Sequence, residues 1–264
     1  MLLLKHKPTV RGRLWLWGHC SGVHDHYGLP RPSTIGPAEA AESMGIPNLI
    51  MVRYDKWPIS PYDDLAISLK KMRRVVWSLV GAGGRTSPEE RAEVLSLSQR
   101  HPNITGFMLD DFWSGGPDGN GGIILPIEEL EAIRDSGREI WAVMYISELF
   151  RKNEIASHLD YIDHATLWSW VPEHLNDLDR KLGMFRDLVP SKKRHMGVYM
   201  WDYGRSQPMP LHIVQRQCSR GLELLRSGEL EGMIFLASCI CDVGVEAVNW
   251  VRDWIKQVAD QPCP

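Results

Sequence analysis

The chain lacks any long apolar stretch. No run approaches the ~18 residues that cross a bilayer, so no membrane span is expected. Residues 1–7 hold three leucines and then charge, which does not fit the basic and then apolar pattern of a secretory signal, so a cytoplasmic location is expected. Cysteine is sparse. Cys20, Cys218, Cys239, Cys241 and Cys263 are odd in number and form no C-x-x-C pair, which argues against a disulfide framework and for free thiols in a reducing compartment. Net charge is only −3, and no basic stripe stands out. Neither nucleic acid nor a membrane is therefore expected as a partner. Phenylalanine is scarce too, with 5 residues against 7 Tyr and 11 Trp. A plain apolar core would use more Phe and Leu. Trp adds a rigid indole with one N–H donor.

What is present is alternation. Short apolar runs occupy residues 13–17, 48–53, 74–80, 104–110, 139–145, 165–170, 195–201 and 232–238. Between and after them lie amphipathic stretches at 37–45, 61–72, 87–99, 126–136, 148–159, 172–188, 210–226 and 245–258. Ser87-Pro88-Glu89-Glu90 reads as a capping box opening the third helix. Pro37 and Gly45 bracket the first helix in the way proline and glycine favour. Apolar residues fill both alternate positions of the runs, as in strands covered on both faces.

Eight strand–helix units imply a parallel sheet. They fill a chain of 264 residues, close to the ~250 of a (β/α)₈ TIM barrel. One α/β barrel domain spanning 1–264 is expected, with a doubly wound open sheet as the competing architecture.

In a barrel of this kind chemistry sits at the carboxyl ends of the strands. Those ends carry Trp17 and His19, Arg53 and Tyr54, Asp110 to Trp113, Tyr145 and then Glu148, Trp168 and Trp170, Tyr199 with Trp201 and Asp202, and Asp242. Flat aromatic faces suit the C–H faces of sugars, and carboxylates suit hydroxyl recognition and proton transfer. A small carbohydrate is therefore the expected ligand. Trp residues at strand ends can equally serve as a plug for the barrel top. Alternation along 106–113 points Asp110 into the mouth and Asp111 to the opposite side. Asp110 is a candidate nucleophile, general acid or ligand-binding carboxylate, or else the partner of an arginine such as Arg53. Asp111 is a second candidate or a loop cap.

The segment Gly106-Phe107-Met108-Leu109-Asp110 resembles the Gly-Phe-x-x-Asp pattern at the end of strand four in some barrel glycoside hydrolases. The resemblance implies Asp110 as nucleophile, Glu148 as acid and Asp202 as a further carboxylate. It departs from the pattern in carrying Met108 where such barrels usually place an arginine. Such chemistry needs two carboxylates across the scissile bond.

His19, Cys20, His24, Asp25 and His26 fall within ten residues, but only His19 stands at a strand end. A loop covering the substrate is expected there, with neither a metal nor another cofactor. Gly81 to Gly84 is read as a close approach or a turn, and 114–122 as a lid or plain surface loop. Arg205 is a candidate contact for an acidic substrate group. Asp242 either binds substrate or caps the last helix. A sugar or polyol isomerase or lyase, with or without a metal, and a sugar-binding barrel without turnover are the alternatives to a glycosidase.

Overall fold

The computed structural model describes residues 8–113, 122–169 and 171–264. Eight strands alternate with eight helices. The strands are β1 (Leu14–Gly18), β2 (Asn48–Met51), β3 (Arg74–Val80), β4 (Ile104–Leu109), β5 (Glu139–Tyr145), β6 (His164–Trp168), β7 (Lys193–Tyr199) and β8 (Gly232–Leu236). The helices are α1 (Pro37–Met44), α2 (Asp63–Ser68), α3 (Pro88–Arg100), α4 (Ile127–Arg134), α5 (Lys152–Leu159), α6 (Leu178–Leu188), α7 (Leu211–Arg226) and α8 (Glu246–Val258). All eight strands pair in parallel, and β1 closes on β8. The structure is the expected α/β TIM barrel rather than an open sheet.

Local chemistry explains several boundaries. Ser87 Oγ accepts the Glu90 N–H at 3.2 Å, capping α3. Gly45, at φ 68°, ends α1 in the left-handed conformation that glycine adopts without strain. The helix expected over 61–72 is shorter: α2 stops at Ser68 and a 3₁₀ turn, Leu69–Lys71, finishes the path. Residues 201–202, expected at the end of the seventh strand, leave the barrel and pair antiparallel with 207–208.

The barrel interior explains the tryptophans. Trp15 of β1 and Trp141 of β5 belong to strands that do not pair, yet their ring centres lie 4.8 Å apart edge to face. They can meet only across the interior. One layer nearer the carboxyl ends, Trp17 and Trp168 meet in the same way at 5.0 Å. Indoles this large fit only where a neighbouring strand gives up its side chain. A methyl built on Gly197 of β7 would stand 2.1 Å from the Trp168 ring, and one on Gly106 of β4 would stand 2.9 Å from Trp141 Nε1.

Gly197→Ala should therefore force Trp168 from its place. A loss of about 1–3 kcal/mol is expected from overpacking of this kind, read as a lower urea midpoint; an unchanged midpoint would mean that the ring has another place to go.

Candidate active site

At the carboxyl end of β4 the chain carries two adjacent carboxylates. Asp110 continues the strand, with its N–H on the Val80 carbonyl at 3.0 Å, and is only 5% exposed. Asp111 has φ 48°, a left-handed conformation that Asp tolerates better than most residues. That turn undoes strand alternation. Asp111 was expected on the opposite side from Asp110, but its carboxylate comes back to the mouth. Oδ1 accepts the Tyr145 hydroxyl and Oδ2 the Gly83 N–H, both at 2.6 Å. The glycine loop after β3 thus approaches a carboxylate of the chain itself. Gly83 can do this because its own φ is 71°.

The two carboxyls differ in environment. Burial, reinforced by the neighbouring Asp111 charge, pushes Asp110 well above the usual carboxylate range, against a smaller pull from the Asp111 N–H. Burial also raises Asp111, but the Tyr145 hydroxyl and the Gly83 N–H favour its charged form. Asp110 is thus the more strongly raised of the two, while the donors aimed at Asp111 favour its charged form. Tyr145 and Tyr199 are both raised, by burial first and then by the neighbouring carboxyls Asp111 and Asp110. These four side chains form the polar centre of the mouth.

An aromatic wall stands beside them. Trp168 meets Tyr199 edge-on at 5.5 Å, and Trp17 meets Trp168. Both indoles are nearly inaccessible, and their N–H groups are taken, Trp168 by Thr166 Oγ1 and Trp17 by His19 Nε2. They act as the plug of the barrel top. His19 is spoken for on both sides, because Nδ1 donates to the Val52 carbonyl at 3.2 Å while Nε2 accepts from Trp17. Ser238 Oγ holds both its backbone N–H and carbonyl. Burial lowers His19 to about 4, so it is neutral. Around it lie His24, bonded to the Tyr203 hydroxyl at 3.1 Å, and the Tyr27–Tyr54 hydroxyl pair at 3.0 Å. Tyr54 also reaches His26 Nε2 at 3.2 Å. Tyr27, Tyr54 and Tyr145 are the half-exposed aromatics of this end.

Other expected site residues lie elsewhere or are already engaged. Glu148 is fully buried and accepts the Tyr145 backbone N–H at 2.6 Å, pinning the turn after β5. Asp202 is fully buried, accepting from Arg205 N and Gln207 Nε2 within its own hairpin. Arg205 in turn pairs with Glu173 at 2.8 Å. Asp242 ties down the loop before α1, taking Ser33 Oγ, Thr34 N and Ile35 N. Arg53 pairs with Glu90 rather than with Asp110. Trp113 packs with Phe112 against His158 of α5, away from the mouth. Trp201 is buried and donates to the Tyr27 carbonyl. Trp170 and the loop 114–121 lie outside the described residues.

Tyr27, Tyr203 and Ser238 were not singled out from the sequence, and Gly83 only as part of the 81–84 close approach or turn. The one available signal was Tyr145 closing β5 beside β4, which put its hydroxyl within reach of the β4 carboxylates. Cys239 and Cys241 are buried, and burial pushes both thiols up, Cys241 to about 12. Among the described residues no group of three or more His, Cys, Asp and Glu gathers as metal ligands, and no helix is long and apolar enough to cross a membrane.

No protein-family model and no curated protein matches the chain. Solved structures do. A putative alpha-L-fucosidase from Bacteroides thetaiotaomicron is similar over 98% of both chains, with a TM-score of 0.56 and 10% identity. An alpha-L-arabinofuranosidase from Thermotoga maritima also has a TM-score of 0.56, at 13% identity over 89% of this chain and 66% of that one. A family 18 chitinase from Crocus vernus has 0.53 at 12% identity, over 93% and 97%. At such identities the likeness is one of fold: the chain has a barrel of the kind on which these glycoside hydrolases are built.

The buried carboxyl also sets a pH signature. Folding favours protonated Asp110, so its contribution to stability is intact below an unfolded value of about 3.9 and declines as pH rises through the raised native value. Asp110→Asn should remove that decline. The variant should melt above the parent at pH 8, with the gap closing towards pH 4; equal melting at both pH values would mean that Asp110 is not desolvated.

Proposed function

We propose that the protein is a glycoside hydrolase-like enzyme acting on a small carbohydrate, with Asp110 as general acid and Asp111 as its anionic partner. The reading rests on one observation: two successive carboxyls end β4 in unlike environments, Asp110 buried and raised the more, Asp111 held by the Tyr145 hydroxyl and the Gly83 N–H. Pairs of this kind mark acid and base roles. Several structures of similar fold are named as enzymes acting on glycosides. That agrees with the reading without assigning a substrate.

The roles follow from the environments. The resemblance implied Asp110 as nucleophile, but a buried, protonated carboxyl is suited to donating its proton. In the proposed step Asp110 protonates the glycosidic oxygen as the bond to the anomeric carbon breaks. Asp111, fixed by Tyr145 and Gly83, faces the positive charge that develops on the sugar. Water then adds its oxygen to the anomeric carbon, and its proton returns to the Asp110 carboxylate. Tyr54 and Tyr27 offer partly exposed rings and hydroxyls for the sugar.

Loss of a general acid typically costs about 10²–10⁴ in rate. Asp110→Asn should therefore slow hydrolysis of alkyl glycosides by that factor. Glycosides whose leaving group departs without protonation, such as dinitrophenyl glycosides, should be slowed far less. Undiminished turnover on alkyl glycosides would falsify the assignment, and binding without turnover by the parent protein would favour a sugar-binding barrel.

Tyr145→Phe should shift the acid limb of the pH–rate profile to higher pH. Removing a donor that stabilises ionised Asp111 raises the pH needed to keep it charged. An unmoved limb would detach Asp111 from the rate.

A further inference from the structure

The opposite end of the barrel, where the strands begin, is normally devoted to stability. Here it holds a cavity of about 280 Å³, lined by Arg13, Trp15, Arg73, Arg74, His195 and Glu231 among others. That is near the lower end of the roughly 300–1,000 Å³ typical of small-molecule sites. Its electrostatics are one-sided. Among the described residues Arg13, Arg73, Arg74 and Lys193 face Glu231, paired with Arg13, and Glu139, paired with Arg74 and Lys193, and Arg13 also donates to the Pro264 oxygen. Arg73 is exposed and has no ion pair or side-chain hydrogen bond among the described residues.

The inner wall is unusual in a second way. Buried polar side-chain atoms nearly always have partners. Among the described residues, Asn48 Oδ1, Trp141 Nε1 and His195 Nδ1 of this layer have no hydrogen-bond partner, while His164 Nε2 has only the Glu139 carboxylate, at 3.2 Å. Proton positions follow from the neighbours. Burial works against the charge of Glu139, but contacts from His164 and Lys193 outweigh it and hold the carboxyl at about 2. Ionised Glu139 lies 3.2 Å from His164 Nε2, so that nitrogen carries hydrogen. His164 Nδ1 is then bare and accepts His195 Nε2–H at 2.8 Å. This leaves His195 Nδ1 as a bare lone pair, in a residue 1% exposed that lines the cavity. It sits beside Gly232, where a methyl would come within 2.6 Å of it and 2.7 Å of the Arg13 carbonyl.

We propose that this amino-terminal mouth is a second binding site, for a small phosphorylated hydroxy compound. The phosphate lies among Arg73, Arg74 and Arg13 at the rim, and a hydroxyl reaches inward to donate to His195 Nδ1. Guanidinium forks match phosphate oxygens in geometry and charge. The bare imidazole nitrogen needs a donor, which a phosphate dianion cannot supply but a hydroxyl can. Trp15, already under the Arg74 guanidinium at 5.0 Å, forms the apolar side wall. The site is at the far end of the barrel from Asp110 and Asp111 and does not rest on their role.

Titration calorimetry on the full chain at pH 7.5 tests this with three probes: glucose 6-phosphate, glucose and inorganic phosphate. Glucose 6-phosphate should bind at least tenfold more tightly than either fragment. Arg73→Gln should weaken it at least tenfold, as loss of a charge-assisted bond does, with an unchanged melting curve because Arg73 holds no described partner. Equal binding of inorganic phosphate would overturn the hydroxyl contact and with it the proposed ligand. Absence of binding, or binding untouched by Arg73→Gln, would overturn the site.

Discussion

The interior of an eight-stranded barrel has room for only a limited set of side chains, and this chain fills it with indoles. Trp15, Trp17, Trp141 and Trp168 meet across the barrel in two layers. Each layer closes because glycine stands where a side chain would collide: Gly197 under Trp168, Gly106 beside Trp141 and Gly232 beside His195. Large residues on some strands and none on others keep the packing dense without strain. The scarcity of phenylalanine and the abundance of tryptophan have the same origin. A planar ring with a donor fills the width and bonds within it, as Trp168 does to Thr166 and Trp17 to His19.

The plug formed in this way shapes the chemistry above it. Asp110 is buried beside it, and burial is the first cause of its raised carboxyl. The same low-dielectric floor strengthens every charge and hydrogen bond at the mouth. At Asp111 the Tyr145 hydroxyl and the Gly83 N–H work against that desolvation. Glu148 and Asp202 instead meet donors of their own turns, and Asp242 those of the loop before α1.

The two ends of the barrel solve opposite electrostatic problems. The carboxyl end gathers negative charge and restrains it with hydroxyls and backbone N–H groups. The amino end gathers arginines and leaves a neutral imidazole pair, His164 and His195, behind them, with Trp141 stacked on His164 at 3.8 Å. Burial keeps His195 from charging, and the nearby cations reinforce this. Its lone pair therefore persists near neutral pH.

By itself the sequence determined eight strand–helix units and a parallel sheet; that the sheet closes, β1 against β8, came from the structure. Eight apolar runs with polar-faced helices between them admit few packings, and the capping residues at Ser87 and Gly45 mark boundaries through local bonds alone. It also determined that Asp110 ends a strand and points inward, because alternation is a property of the extended chain. It could not place Asp111, whose left-handed backbone breaks that alternation. Nor could it separate Asp110 from Glu148, Asp202 and Asp242, because all four follow a strand, and what distinguishes them is the donor each one meets in space. Trp113 looked like a mouth residue by position, yet its ring packs with Phe112 and near His158 of α5, neighbours that are distant or unreadable in the sequence pattern. Register along a strand is local and legible; partnership between strands depends on closure of the barrel, and only the tertiary structure decided it.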